Sequence, residues 1–308
     1  MVVSVSRRCD IPRFKFDWFL ERLDAGFVEV KNPFNSRQTR RVSLLPQSAA
    51  TVKPGSPPPE AVEAFAFWTR DPAAILEHTE ELEGRGYRFY VMTTLTSYPA
   101  LLEPNAPPAE SVIQTMRKLA QKITMDRVIW RYDPIFLSDI TDFEFHRLNF
   151  SNLAARLNGT VRRIIVSVYD EYPAAEKRLA ALEHKGALKR LAHYCDGNGP
   201  KGERPLLPAV RELLAGMALA ARAEGMEIQS CAEDELAGCS QSEDCPQSGS
   251  CGIRPGACID GELLTKLFGL KAPGRDRSQG RSRCRCVQSA DIGTYGHCPA
   301  GCVYCYAR

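Results

Sequence analysis

Short apolar runs alternate along the chain with longer stretches in which apolar residues recur every three to four positions. The runs Val2 to Ser6, Ala64 to Trp68, Tyr87 to Thr94, Arg127 to Arg131, Arg163 to Val168 and Met226 to Ser230 are rich in Val, Ile, Phe and Tyr, the mark of buried strands. Helices are predicted between them. Asp71-Pro72 is a cap followed by proline at the first helical position, and the helix it opens is expected to end near Gly84-Arg-Gly86. After Pro108, the residues Val112, Ile113, Met116, Leu119, Ala120 and Ile123 form one stripe at helical period. A third helix is predicted from about Asp142 to a stop at Asn158-Gly159. Phe27 to Leu45 reads as a hairpin, and Pro46 to Pro59 as a proline-rich loop.

Strand followed by helix, repeated through the chain, predicts an α/β fold with a parallel sheet and helices outside. Six such strands make a partial (β/α)6 TIM-like barrel over residues 1–230, with a cysteine-rich segment, residues 231–308, folding over the barrel mouth. Ligands of such barrels bind at the C-terminal ends of the strands. The residues there are Arg7-Arg8-Cys9-Asp10, Thr69-Arg70-Asp71, Thr93-Thr94-Leu95-Thr96 and Arg131-Tyr132-Asp133, then Ser167 with Tyr169-Asp170-Glu171, and Gln229-Ser230-Cys231-Ala232-Glu233. Asp71 and Asp170 read as a helix cap or a loop salt bridge. Arg7, Asp10, Arg131, Asp133 and Glu233 are the candidates for a charged ligand.

Composition adds limits rather than a function. A chain of 308 residues, 44% hydrophobic and 25% charged, can bury one large core of the α/β-barrel kind or two smaller ones, and reads as globular rather than disordered. A net charge of +3 makes no general case for nucleic acid or an anionic membrane, and the arginines from Arg275 to Arg308 read as a solvated basic surface. No apolar run reaches the length of a membrane span and the start lacks a secretory core, so the protein is expected in the cytoplasm. All of its cysteines except Cys9 lie between Cys195 and Cys305. In a reducing compartment, clustered thiols point to metal.

The last eleven residues, Cys298-Pro-Ala-Gly-Cys302-Val-Tyr-Cys305-Tyr-Ala-Arg308, space three thiols in the pattern that holds a [4Fe-4S] cluster by three cysteines. Three thiolates leave one iron open to another ligand, which favours chemistry over electron storage. Cys231, Cys258, Cys284 and Cys286 are a second set, able to converge on a further iron–sulfur cluster or a zinc. Cys239, Cys245 and Cys251 lie in a Ser/Gln/Gly-rich insert and read as free loop thiols, with Cys9 and Cys195 unligated. His78, His146 and His184 lie in helical stretches, and His297 reads as a neighbour of the Cys298 site rather than a ligand. No phosphate loop, Gly-x-Ser-x-Gly elbow or His-Glu-x-x-His is present, and Trp68, Trp130 and Tyr132 read as packing rather than as platforms for bases.

Several longer motifs carry a resemblance. Ser6-Arg-Arg-Cys-Asp-Ile-Pro12, Lys31-Asn-Pro-Phe-Asn35, Phe67-Trp-Thr-Arg-Asp-Pro72, Val128-Ile-Trp-Arg-Tyr-Asp-Pro134, Cys231-Ala-Glu233 and Asp291-Ile-Gly-Thr-Tyr295 resemble a bacterial family numbered 1848 among the domains of unknown function. The segment Gly301 to Arg308 is also similar to the cluster loop of radical S-adenosylmethionine proteins, particularly those like spore photoproduct lyase. That resemblance implies that Cys298, Cys302 and Cys305 ligate the cluster, that S-adenosylmethionine binds its open iron, and that Tyr304 lies near the adenine. It also implies an electron donor such as flavodoxin or ferredoxin.

Two features depart from the pattern. The cluster loop follows the barrel strands instead of the first of them, a permuted arrangement, and no Gly-Gly-Glu stretch is present, leaving Glu233 to take its place. The leading expectation is a radical enzyme of unknown substrate. The competing one is a non-radical barrel protein whose cysteines hold zinc or a closed cluster, for instance with Cys302 and Cys305 paired to Cys284 and Cys286, and which binds a small ligand or nucleic acid. A nucleic-acid substrate rests on analogy alone.

Overall fold

All six residues of the run Ala64–Thr69 are buried, which requires a sheet covered on both faces. A computed structural model describes residues 1–32, 35–47, 60–191, 207–231, 252–271, 273–276, 284–296 and 298–308. In chain order the described elements are β1 (Val2–Val5), α1 (Ile11–Phe14), α2 (Phe16–Ala25), β2 (Phe27–Asn32), β3 (Asn35–Ser43), β4 (Ala64–Thr69), α3 (Ala73–Glu77), α4 (Thr79–Gly84), β5 (Phe89–Thr94) and α5 (Ala109–Ile123). They continue with β6 (Val128–Ile135), α6 (Phe143–Leu157), β7 (Arg163–Val168), α7 (Pro173–His184), α8 (Pro208–Ala223), β8 (Glu227–Cys231), β9 (Arg254–Gly256), α9 (Gly261–Phe268) and β10 (Ala290–Asp291). Eight strands form one sheet in the order β10-β1-β4-β5-β6-β7-β8-β9, and every neighbouring pair is parallel. The strands β2 and β3 form the expected hairpin apart from it.

The α/β architecture is therefore as the alternation predicts, but the sheet has eight strands rather than six. The two that periodicity misses are β9, only Arg254-Pro-Gly256, and β10, only Ala290-Asp291. Neither is long enough to carry a pattern, and each is held in place by a longer neighbour, β8 or β1. The fourth predicted run also extends further, through Arg131 and Asp133 to Ile135, with a register shift between Tyr132 and Ile135. Pro134 lies in that shift, where the missing N–H is tolerated. The helix opened by Asp71-Pro72 breaks at His78 into α3 and α4, whereas α5 and α6 follow their predicted spans.

Alternate residues of each strand face opposite layers. Val3, Val5, Phe65, Phe67, Phe89, Val91, Val128, Trp130, Ile164 and Val166 pack outward against the apolar stripes of the helices. The other face presents smaller side chains, Val2, Ala64 and Ala66, with Trp68, Tyr90, Met92, Ile129 and Ile165. These pack on residues 257–270 and on Cys284, Cys286 and Val287, so two segments late in the chain cover this face of the sheet. The helix α9 sits at the starts of the strands, with Asp260 capping it and pairing with Arg163 of β7, and Phe268 lying under Arg127. No helix among the described residues is long and apolar enough to cross a membrane.

Behind the strand ends, His146 of α6 is fully buried, bonded to the Tyr132 hydroxyl at 2.9 Å and the Phe136 carbonyl at 3.0 Å. Burial lowers its pKa from 6.5 to about 4. Unfolded, the ring takes a proton near pH 6.5, while the folded protein resists until about pH 4. The contribution is therefore present above pH 6.5 and lost as pH falls through that window, up to about 3 kcal/mol. Urea unfolding followed from neutral pH down to about pH 4 should show the midpoint falling, and His146→Gln should flatten that part of the profile. An identical slope in the variant would rule this histidine out as the cause.

Candidate active site and thiol clusters

The final loop of the chain lies across the C-terminal ends of the strands. Cys302 and Tyr304 are buried among Tyr98 and Leu102 beyond β5, Phe136 beyond β6 and Tyr169 beyond β7. Backbone bonds fix the path: Val303 donates to the Leu102 carbonyl at 2.9 Å, and Gly296 to the Ala307 carbonyl at 2.8 Å. The Arg178 guanidinium of α7 donates to the carbonyls of Val303 and Cys305, and the Tyr306 hydroxyl to the carbonyl of Arg7 beyond β1. Asn105 donates to Pro299, whose turn passes Gly301 at φ 73°, a conformation glycine adopts without strain. Cys298 lies close enough to raise the cost of ionising Cys302 and Cys305, and Cys305 does the same to Cys302. Burial pushes the Cys302 thiol up to about 11 and raises Cys305, against the lowering influence of Arg70 at both and of Arg178 at Cys305.

Beneath the loop lies a buried ion pair. The Arg70 guanidinium, just after β4, donates two parallel bonds of 2.8 Å to the Glu103 carboxylate. Thr96 donates to the same carboxylate at 2.6 Å. The Tyr304 hydroxyl accepts from Arg70 at 2.7 Å and donates to Glu103, so the aromatic residue between two cysteines is locked by its polar tip. Its ring lies against Phe136 and Tyr98.

The inner face of the sheet carries a second polar layer at the same end. Asp291 of β10 accepts from the hydroxyls of Ser4 at 2.7 Å and Ser6 at 2.8 Å, and from the Arg7 amide at 2.8 Å. The side chains of Arg7 and Arg8 flank it at 3.6 and 3.7 Å. On β6, Arg131 and Asp133, two residues apart and so on one face, form an ion pair, and Ser167 of β7 donates to Asp133. The Arg131 guanidinium lies 4.6 Å over the Trp68 ring and donates to Thr94 at 3.1 Å. Among the described residues, the buried atoms Arg131 Nε, Trp68 Nε1 and Gln229 Oε1, all from this face, have no hydrogen-bond partner. Buried polar atoms are normally satisfied, so these three are candidates for contact with a bound ligand or water, although Arg22 Nε and Thr93 Oγ1 are buried and unpartnered as well.

A different set of thiols meets on the same side. Cys231 ends β8, and its sulfur lies 3.4 Å from that of Cys258, just beyond β9. Cys258, Cys284 and Cys286 are buried in one cluster against which Cys231 packs. Among the described residues no three Cys, His, Asp or Glu side chains already form a shell for a metal ion. Contact with Cys231 and burial raise Cys258 far above the usual thiol range, and contact with Cys258 raises Cys286 to about 11. Arg7 and Arg131 act the other way, lowering Cys284 and Cys258 respectively.

The model of a family described as a domain of unknown function, DUF1848, matches residues 2–307. The chain belongs to that family. No curated protein and no solved structure matches it. Of the motifs read from the sequence, Phe67 to Pro72 of this DUF1848 protein contains Arg70, and Asp291 to Tyr295 contains the carboxylate that returns the C-terminal segment to β1.

Of the residues singled out by sequence, the structure brings Arg131 and Asp133 together, sets Arg7 beside Asp291, and gathers the terminal thiols into one loop. Asp10 is held differently from the expected ligand contact. Its oxygens accept from the amides of Arg13 at 3.1 Å and Arg70 at 2.8 Å, capping α1 and tying two strand-end loops together, while burial raises its pKa to about 6. Tyr304 turns its hydroxyl inward rather than toward an open site. Cys284 and Cys286 pack with Cys258 in the cluster on the sheet face, while Cys302 and Cys305 belong to the strand-end cluster, so the pairing that a shared zinc would need is not made. Glu233, Cys195, Cys239, Cys245, Cys251 and His297 lie outside the described residues. Sequence reasoning missed Glu103 and Arg178. Arg70 sat in a quoted motif, but nothing local identifies Glu103 as its partner.

Glu103→Ala leaves Arg70 charged, buried and unpaired, and should lower unfolding free energy by about 3–5 kcal/mol in urea. Glu103→Gln, which keeps a bonded side chain, should lose less; equal losses would mean the charge is not what matters. Gly293 tests the neighbouring anchor, since an added Cβ would lie 1.8 Å from Ser6 Oγ. Gly293→Ala should displace Ser6 from Asp291 and lower stability by about 1–3 kcal/mol, read from the thermal midpoint.

Proposed function

We propose that this chain is a radical S-adenosylmethionine-type enzyme in which Cys298, Cys302 and Cys305 hold a [4Fe-4S] cluster. The observation that carries the reading is the position of the terminal loop, which sets three neighbouring thiols over the strand ends beside a polar inner face with unpartnered donors. The sheet is read as a TIM-like barrel, because its eight parallel strands run in chain order and its two edges are approached by a bond from the Val287 amide to the Ile259 carbonyl, 2.9 Å. The donor set fits the group: soft thiolates on a glycine-containing loop, with Arg70 and Arg178 offsetting the charge that appears when they deprotonate.

When bound, such a cluster supplies the electron that breaks a carbon–sulfur bond of S-adenosylmethionine held at its open iron. The protein's own part is to position and to exclude water. The Arg70–Glu103–Tyr304 network holds the loop rigid from below. Because the Tyr304 hydroxyl is committed there, any contact with an adenine falls to its backbone. Arg131 with Asp133, and Arg7 with Asp291, offer paired cation and carboxylate at the strand ends, suited to a ligand bearing both an amine and a carboxylate. A cytoplasmic location and a flavodoxin- or ferredoxin-type donor belong to this reading.

Anaerobic purification and reconstitution test it. The expected product is a brown protein with about four irons on the terminal thiols. Reduced with dithionite, it should convert S-adenosylmethionine to methionine and 5′-deoxyadenosine, and Cys298→Ala, Cys302→Ala and Cys305→Ala should each abolish that conversion. A protein that carries no iron at these thiols, or that carries it and leaves S-adenosylmethionine intact, would overturn the reading.

A further inference from the structure

The two edges of the eight-stranded sheet end close to one another without pairing as strands. Beyond β9 the chain runs through Cys258 and Ile259, and ahead of β10 it runs through Cys284, Cys286 and Val287. The Val287 amide bonds to the Ile259 carbonyl, and Cys231 stands at the end of the neighbouring β8. Three of these four cysteines are buried, Cys258 at 2% exposure. All four are free thiols, and the Cys231–Cys258 separation of 3.4 Å is a contact and not a bond, since a disulfide holds its sulfurs at about 2.05 Å.

A backbone amide points at one of the sulfurs: Ile259 N–H donates to Cys286 Sγ at 3.4 Å. A thiol is a poor acceptor and a thiolate a good one, so amides aimed at sulfur are the surroundings that metal-bound cysteines have. Arg7 and Arg131 add positive charge at Cys284 and Cys258 respectively.

We propose that Cys231, Cys258, Cys284 and Cys286 form a second, closed site that binds one zinc ion and fastens the two edges of the sheet to each other. Four thiolates at about 2.3 Å from one zinc stand about 3.8 Å apart, near the contact already made by Cys231 and Cys258. A cubane separates its four thiolates by the width of the cluster, and Cys231 and Cys258, with sulfurs 3.4 Å apart, do not leave that space. Loading releases the thiol protons and leaves a centre of net charge −2, which the two arginines offset. The ion closes the seam where the backbone alone supplies the bond from Val287 to Ile259. This site uses none of the terminal cysteines, so it stands or falls apart from the radical reading.

The test uses the full chain with Cys298, Cys302 and Cys305 all replaced by Ala, which removes the terminal site. Purified with zinc, that protein should retain about one zinc per chain. Exchanged with cobalt, it should show the intense visible bands and sulfur-to-cobalt absorption of a tetrahedral four-thiolate centre. Adding Cys258→Ser, or Cys284→Ser with Cys286→Ser, should bring the bound zinc to near zero and lower the thermal midpoint. If the latter variants do not fold, the cobalt spectrum of the triple variant alone decides between four sulfurs and fewer. Retention of iron instead of zinc, a cobalt spectrum with fewer than four thiolates, or no bound metal would each overturn the proposal.

Discussion

The buried pair of Arg70 and Glu103 is the interaction on which the strand-end architecture rests. It lies where the loops after β4 and β5 meet, with Glu103 only 2% exposed, and it takes in the hydroxyls of Thr96 and Tyr304. Two opposite charges removed from water stabilise little by themselves, but removing either one leaves the other buried without a partner. The pair therefore acts as a specification. A terminal loop that did not bring Tyr304 to this point would leave part of the network unsatisfied, so the path of the last residues follows from the chemistry beneath them.

The inner face of the sheet explains how a segment so far along the chain comes to fill it. Ala64 and Ala66 leave space that large side chains would occupy, and Cys258, Ile259, Leu263, Leu264 and Val287 pack in the same cluster. Asp291 then returns the chain to β1 through the serines of the first strand, where Gly293 passes so near Ser6 that no side chain fits. The sheet thus takes strands from both ends of the chain, since β10 pairs with β1.

The two thiol groups sit on either side of a shared polar layer. Arg7 influences Cys284, while its carbonyl receives the hydroxyl of Tyr306, the residue after Cys305. Tyr172 lies against Tyr306, their rings tilted at 39°, and Cys231 acts on its hydroxyl. Substitutions in this layer therefore reach both groups, whereas Arg70, Glu103 and Arg178 belong to the terminal loop alone.

The alternation of apolar runs and helical stripes was enough, by itself, to determine the α/β class, the six longer strands and the hairpin, because each of those depends on contacts repeated every two or every three to four residues. The cysteine spacing of the last loop was equally local. The short strands β9 and β10 were not legible, since two or three residues including Pro255 and Gly256 hold no period, and their positions depend on β8 and β1. Nor was Glu103 legible as the partner of Tyr304, 201 positions away. Which thiols meet was likewise decided only by the tertiary structure: four cysteines on three segments become neighbours because parallel pairing delivers those segments to one end of one sheet, a long-range constraint that no local pattern records.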